Sequence, residues 1–199
     1  MKLASKKTYR IIYYVLGNRE FTQLQVSGAT GVSFGLVNKV VRWLVQKRFA
    51  ERRKGHYFLA DPSGLVAIFA LERDMNSLLA KKMAVNLSKD AALRKIPGKC
   101  TLCLDSALEK YSGYYRSNRV CAYASAGELK EIEKAFKGCG QGHTGIWVFR
   151  QDHEPETAGG RGKKTTSRLR TLIDLVCDNK TFYAKDLFKQ LWKVEFVEA

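Results

Sequence analysis

SFGLVNKVVRWLVQKR, residues 33–48, has two chemically different faces if it is wound as a helix. Val37, Val40, Val41 and Leu44 recur at i, i+3, i+4 and i+7, the spacing of one buried stripe on a helix of 3.6 residues per turn. Ser33 stands where an N-cap belongs, its hydroxyl able to accept one of the first free backbone N–H groups. Asn38, Lys39, Arg42, Gln46 and Lys47 occupy the remaining circumference. Taken alone, the segment is an ordinary amphipathic surface helix. Its neighbours decide otherwise.

Upstream, Thr22 and Gln25 have the spacing of a capping box, and Phe21 and Val26 that of a hydrophobic staple. Only a short helix fits before Ala29-Thr30-Gly31-Val32, where Gly31 supplies the positive φ of a sharp turn. A still earlier helix is expected over Ser5 to Leu16, with Tyr9, Ile12, Val15 and Leu16 on one face. Downstream, Phe49 to Leu59 reads as two short strands around a Lys54-Gly55 turn, with Arg52, Arg53 and Lys54 at its tip. Short helix, glycine turn, long helix and basic hairpin follow one another in that order.

Residues 8–60 resemble the winged-helix domain of transcription regulators, most closely over VSFGLVNKVVRWLVQKRFAERR. Most members have a glycine after the long helix where this chain has Arg48-Phe49. The resemblance implies contact with double-stranded DNA. Ser33, Phe34, Gly35, Asn38, Lys39 and Arg42 would face the major groove, and Arg52, Arg53 and Lys54 would follow the backbone. Asn and Lys can reach base edges, whereas Arg can pair with a phosphate.

The 199 residues carry 35 Lys+Arg against 19 Asp+Glu, a net charge of +16 that favours a polyanionic partner. Residues 1–75 hold 13 basic and 5 acidic side chains and residues 76–199 hold 22 and 14, so the shorter segment is the denser positive region. A hydrophobic content of 45% is that of a folded chain rather than a disordered one. Five scattered cysteines suggest reduced thiols. The apolar run near the N-terminus is short and ends in Asn18-Arg19-Glu20 without a small-residue cleavage site. No stretch approaches the roughly 18 apolar residues of a membrane span. A soluble, cytoplasmic protein is expected.

The fold class expected is α+β: a winged helix-turn-helix over 1–75, a helical connector over 76–98, and a small α/β domain over 99–199. The connector reading rests on helix-favouring composition ending at Pro97-Gly98. In the α/β domain, strands are expected at Cys100–Leu104, Val120–Ala124 and Gly145–Phe149. The continuous apolar run of the third suggests burial on both faces. Helices are expected at Ser106–Tyr111, Glu128–Phe136, 167–178 and 182–192. This domain would bind an effector or a partner.

Thr166-Ser-Arg-Leu-Arg-Thr-Leu-Ile-Asp-Leu175 is similar to the TSxxRTLxDL segment of AbiEi-type antitoxins, which join a winged helix to an α/β domain. That resemblance implies repression of its own operon and a cognate nucleotidyltransferase-like toxin as partner. The same segment also has a local account, with Ser167 or Thr166 capping a helix and Arg170 and Asp174 forming an i,i+4 pair worth a few tenths of a kcal/mol.

Other chemistry is thin. Cys100, Cys103, Cys139 and His143 have the residue types of a zinc site, but the first pair falls in an apparent buried strand without knuckle glycines. Gly159 to Thr165 misses phosphate-loop spacing, because Thr157 stands where its first glycine belongs. Asp105, Glu128 and Lys130 echo a metal nuclease, yet Glu128 and Lys130 point apart on a helix. Tyr111, Tyr114, Tyr115, Arg116 and Arg119 mix aromatic and basic groups as RNA binders do, but a helix end packing on a core is the favoured account of them. No catalytic set, cofactor or metal is expected. A nuclease or nucleotidyltransferase whose winged helix only holds substrate is the rival reading, and a protein–protein adaptor is the third.

Overall fold

The computed structural model describes residues 2–158 and 163–194. It is a mixed α+β chain that divides between Arg73 and Asp74 into two compact units.

In the first unit the order is α1 (Lys6–Gly17), β1 (Glu20–Phe21), α2 (Gln23–Thr30), α3 (Phe34–Gln46), β2 (Ala50–Arg53), β3 (His56–Leu59) and α4 (Pro62–Glu72). The strands form an antiparallel sheet in the order β1-β3-β2. Local sequence sets each boundary. The Thr22 hydroxyl accepts from the Gln25 N–H at 3.2 Å, and the Thr22 N–H donates to the Gln25 side chain at 2.8 Å, which completes the capping box. Gly31 ends α2 in the left-handed region at φ 64°. Lys54 and Gly55 both have positive φ, 46° and 88°, in the two-residue hairpin turn, a combination suited to the right-handed twist of the strands. Tyr9, Ile12, Val15, Phe21, Val26 and the four-residue stripe of α3 are buried together with Leu65 and Phe69 of α4.

The missing glycine after α3 has a structural consequence. Arg48 takes φ 63°, the left-handed conformation that glycine adopts without a Cβ penalty. The Arg48 N–H donates to the Val45 carbonyl at 3.0 Å, and the Phe49 N–H donates to the Leu44 carbonyl at 2.9 Å. This is a Schellman closure, and the buried Phe49 ring packs 5.6 Å from Trp43 to secure it. Arg48→Gly is therefore expected to raise stability by about 0.5–1 kcal/mol, the relief of strain less the extra chain entropy of glycine. A urea midpoint that stays level or falls would contradict this.

The second unit begins with α5 (Met75–Leu78), β4 (Leu79–Val85), α6 (Lys89–Lys95), β5 (Thr101–Leu102), α7 (Leu104–Tyr111) and β6 (Arg119–Ala124). It continues with α8 (Ala126–Phe136), β7 (Thr144–Arg150), β8 (Thr157–Ala158), β9 (Thr165–Thr166), α9 (Arg168–Cys177) and α10 (Thr181–Trp192). The six-stranded sheet runs β4-β7-β6-β5-β9-β8, with β6 and β7 parallel and β4 antiparallel to β7. Residues 76–98 are thus not a helical connector, because Leu79–Val85 is a sheet strand and the segment belongs to the second unit. Its Leu, Ala, Lys and Met favour helix locally, but seven residues of weak propensity yield to pairing along β7.

Alternate residues of the central strands face opposite sides of this sheet. Val120, Ala122, Ala124, Ile146 and Val148 join Ala92 and Ile96 of α6 and Ile132 and Phe136 of α8 in one core. Cys121, Tyr123 and Phe149 point the other way, toward the side of α7 and α9. Burial of β7 on both faces holds for Ile146, Val148 and Phe149 but not for the half-exposed Trp147.

Candidate nucleic-acid interface

The α3 helix exposes what its stripe leaves free. Val37, Val40, Val41 and Leu44 are fully buried, while Ser33, Phe34, Gly35, Lys39, Arg42 and Gln46 are exposed and Asn38 is half-buried. Gly35, Asn38, Lys39, Arg42, Trp43 and Gln46 line one shallow depression along this face. Ser33 occupies the N-cap position, but its side chain makes no capping hydrogen bond. Its backbone carbonyl instead accepts from the Leu36 and Val37 N–H groups at 3.0 and 3.1 Å. The first-turn N–H groups ahead of them have no intrahelical acceptor, no acidic side chain sits among them, and the Ser33 hydroxyl remains beside them. Such an end suits a phosphate.

In the hairpin Arg52, Arg53 and Lys54 are all exposed, but they are not equivalent. The Arg53 guanidinium pairs with Glu51 at 2.6 Å and lies 5.5 Å over the Phe58 ring. Residues two apart on a strand share a face, so Glu51 neutralises Arg53 in place. Arg52 and Lys54 make no ion pair among the described residues. At the other edge of the sheet His56 meets Glu20 at 2.7 Å.

The remaining sequence candidates separate. Cys100 and Cys103 are buried and Cys139 is half-buried against the core, whereas His143 is exposed. Burial, with Glu128 nearby, pushes the Cys100 thiol up to about 11. Among the described residues no three His, Cys, Asp or Glu side chains gather in a way that could hold a metal ion. Residues 159–162 of the glycine-rich loop lie outside the described residues; beyond them the Lys163 ammonium donates to the Ile96 carbonyl. Glu128 accepts the Ser125 N–H at 2.7 Å as the capping partner of α8, a structural role away from Asp105.

Asp105 is instead the centre of a buried network in the second unit. It is 1% exposed and accepts from the Tyr115 hydroxyl, from the Lys180 ammonium at 2.9 Å and from the Cys121 thiol at 3.6 Å. Burial raises its pKa, but the Tyr115 hydrogen bond and the Lys180 charge outweigh burial and hold the carboxyl below its ordinary value. Burial likewise opposes the charge of Lys180, yet Asp178 at 2.8 Å and Asp105 raise its pKa. Burial and the adjacent carboxylate push both Cys121 and Tyr115 upward. The charge states are locked across the neutral range. Asp105 and Lys180 stand 75 residues apart, so no local pattern in the chain joins them.

Comparison of the chain with protein-family models, curated proteins and solved structures finds no match. No helix among the described residues is long and apolar enough to cross a membrane.

Proposed function

We propose that the chain is a duplex-DNA-binding transcription regulator whose first unit is a winged helix-turn-helix, with α2 and α3 as its two helices and the β2–β3 hairpin as its wing. The observation that carries this reading is the exposed polar face of α3, from Ser33 through Gly35, Asn38 and Lys39 to Arg42, set opposite a fully buried stripe. A helix presenting its N-terminal residues to the major groove needs that division. The free first-turn amides suit a backbone phosphate, and Arg52 and Lys54 supply unpaired cations on the wing. Repression would follow from occupation of a promoter. The further expectation of an autoregulating antitoxin, with a cognate toxin bound elsewhere, draws its support from the resemblance at Thr166–Leu175 alone.

Affinity of the full chain for a duplex should fall linearly in log–log form with salt, each neutralised phosphate contributing about −0.9 to the slope. Wing variants Arg52→Ala and Lys54→Ala should each flatten that slope by about one unit. Titration at several salt concentrations measures this. A slope near zero, or one the wing variants leave unchanged, would argue against DNA contact through this unit.

A further inference from the structure

The second unit contains an open cleft of about 1020 Å³ that the duplex-binding reading does not use. It lies at the amino ends of the parallel strands β6 and β7, where the sheet face carrying Cys121 and Tyr123 emerges from under its helices. Strand register builds its floor. Arg119 pairs with Gly145, and Trp147 pairs with Cys121 on one side and Lys82 on the other, so all of these project to the same face. A Cβ on Gly145 would lie 3.4 Å from the Trp147 indole nitrogen and 3.5 Å from Arg119, so the absence of a side chain leaves the floor open.

Cations crowd this floor. Lys82 and Arg119 each lie 4.6 Å from the Trp147 ring centroid, and Lys180 lies 5.9 Å away. Asp105 and Asp178 neutralise Lys180. Arg119 stands 3.9 Å from an Asp105 oxygen that Lys180 already occupies, and Lys82 has no acidic partner among the described residues. Arg116 adds charge at the walls, where the Asp186 carboxylate is engaged by the Tyr114 hydroxyl. Like charges held together around one indole leave a positive potential that an anion would relieve.

The walls are aromatic and turned outward. Tyr114 is 78% exposed, Phe182 65% and Tyr183 47%. Large rings left in water beside a basic floor are the groups on which bases stack. From Tyr114 and Asp186 a second hollow of about 290 Å³ continues past Lys189 and Lys193. A single strand could run from one hollow into the next, whereas a free nucleotide would fill only part of the path.

We propose that this cleft binds single-stranded nucleic acid, with a phosphate on the Lys82–Arg119–Trp147 floor and bases against Tyr114 and Phe182. The site is independent of the α3 face, and its success or failure leaves the duplex reading untouched. The test is fluorescence anisotropy of the full chain with labelled ten-nucleotide dT and rU strands, alongside AMP, inorganic polyphosphate and a duplex. Lys82→Ala/Arg119→Gln should weaken single-strand binding at least tenfold and leave duplex affinity within twofold. Phe182→Ala, which removes an exposed ring and leaves the floor charges in place, should weaken it about tenfold, and polyphosphate of equal charge should compete poorly. A preference between dT and rU would assign DNA or RNA as the natural strand. The proposal is overturned if the folded variants bind single strands as the parent does. AMP binding as tightly as the ten-mers, or polyphosphate displacing them equally, would also overturn it, in favour of a small effector or a plain polyanion site.

Discussion

Arg170→Met is expected to lower the unfolding free energy by about 3–5 kcal/mol, the usual loss when one partner of a buried ion pair is removed. Arg170 is fully buried in α9, with its Nε 3.0 Å from Asp174 and a terminal nitrogen 3.0 Å from Asp152 and 3.1 Å from the Tyr123 hydroxyl. Asp174 is also fully buried, so methionine would leave its carboxylate in the interior without the guanidinium facing it. Arg170→Lys should recover only part of the loss, because one ammonium cannot reproduce the planar fork that reaches Asp152, Asp174 and Tyr123 together. Denaturant unfolding of the full chain reads this directly. A loss below about 1 kcal/mol, the size of an exposed pair, would show that the network is not holding α9 to the sheet.

That network also marks where the sequence was misleading. Spacing alone presents Arg170 and Asp174 as a surface i,i+4 pair, but every residue from Leu169 to Cys177 is buried. A helix covered all round loses the polar face that spacing arguments assume. Helix-forming composition hid β4 in the same way, since its partner β7 lies some sixty residues downstream. With β4 hidden, Lys82 had no place beside Trp147. Tyr114, Tyr115, Arg116 and Arg119 stand out in the sequence as an aromatic and basic cluster, but packing of a helix end is the account their spacing favours. The cleft exists only once β4, β6, β7 and α10 are brought together.

The first unit was far more legible because its signals are local. The Thr22–Gln25 box, the left-handed Gly31, the valine and leucine stripe and the Lys54-Gly55 turn each fix an element within a few residues. Two details there still escaped. Ser33 caps α3 by position but not by its hydroxyl, since the sequence says nothing of the side-chain rotamer. Glu51 neutralises Arg53, a pairing that strand alternation makes readable once β2 is recognised.

The central claim is that α3 reads bases while the hairpin grips the backbone, and the two contacts differ in what they discriminate. Asn38 and Lys39 lie off the buried stripe near the start of α3, where a groove-inserted helix meets base edges. Each changed to alanine should cost about 1–3 kcal/mol on the preferred site, roughly 5- to 150-fold in affinity, and much less on a scrambled duplex. Arg52→Ala and Lys54→Ala should weaken both duplexes alike, and Arg53→Ala should weaken them least, because Glu51 already holds that charge. None of these changes touches the core, so the folded state should persist in all five. The measurement is the affinity of each variant for one selected site and one scrambled duplex of the same length at fixed salt. The account predicts site-specific losses from α3 and uniform losses from the hairpin; equal losses from both elements on both duplexes would contradict it.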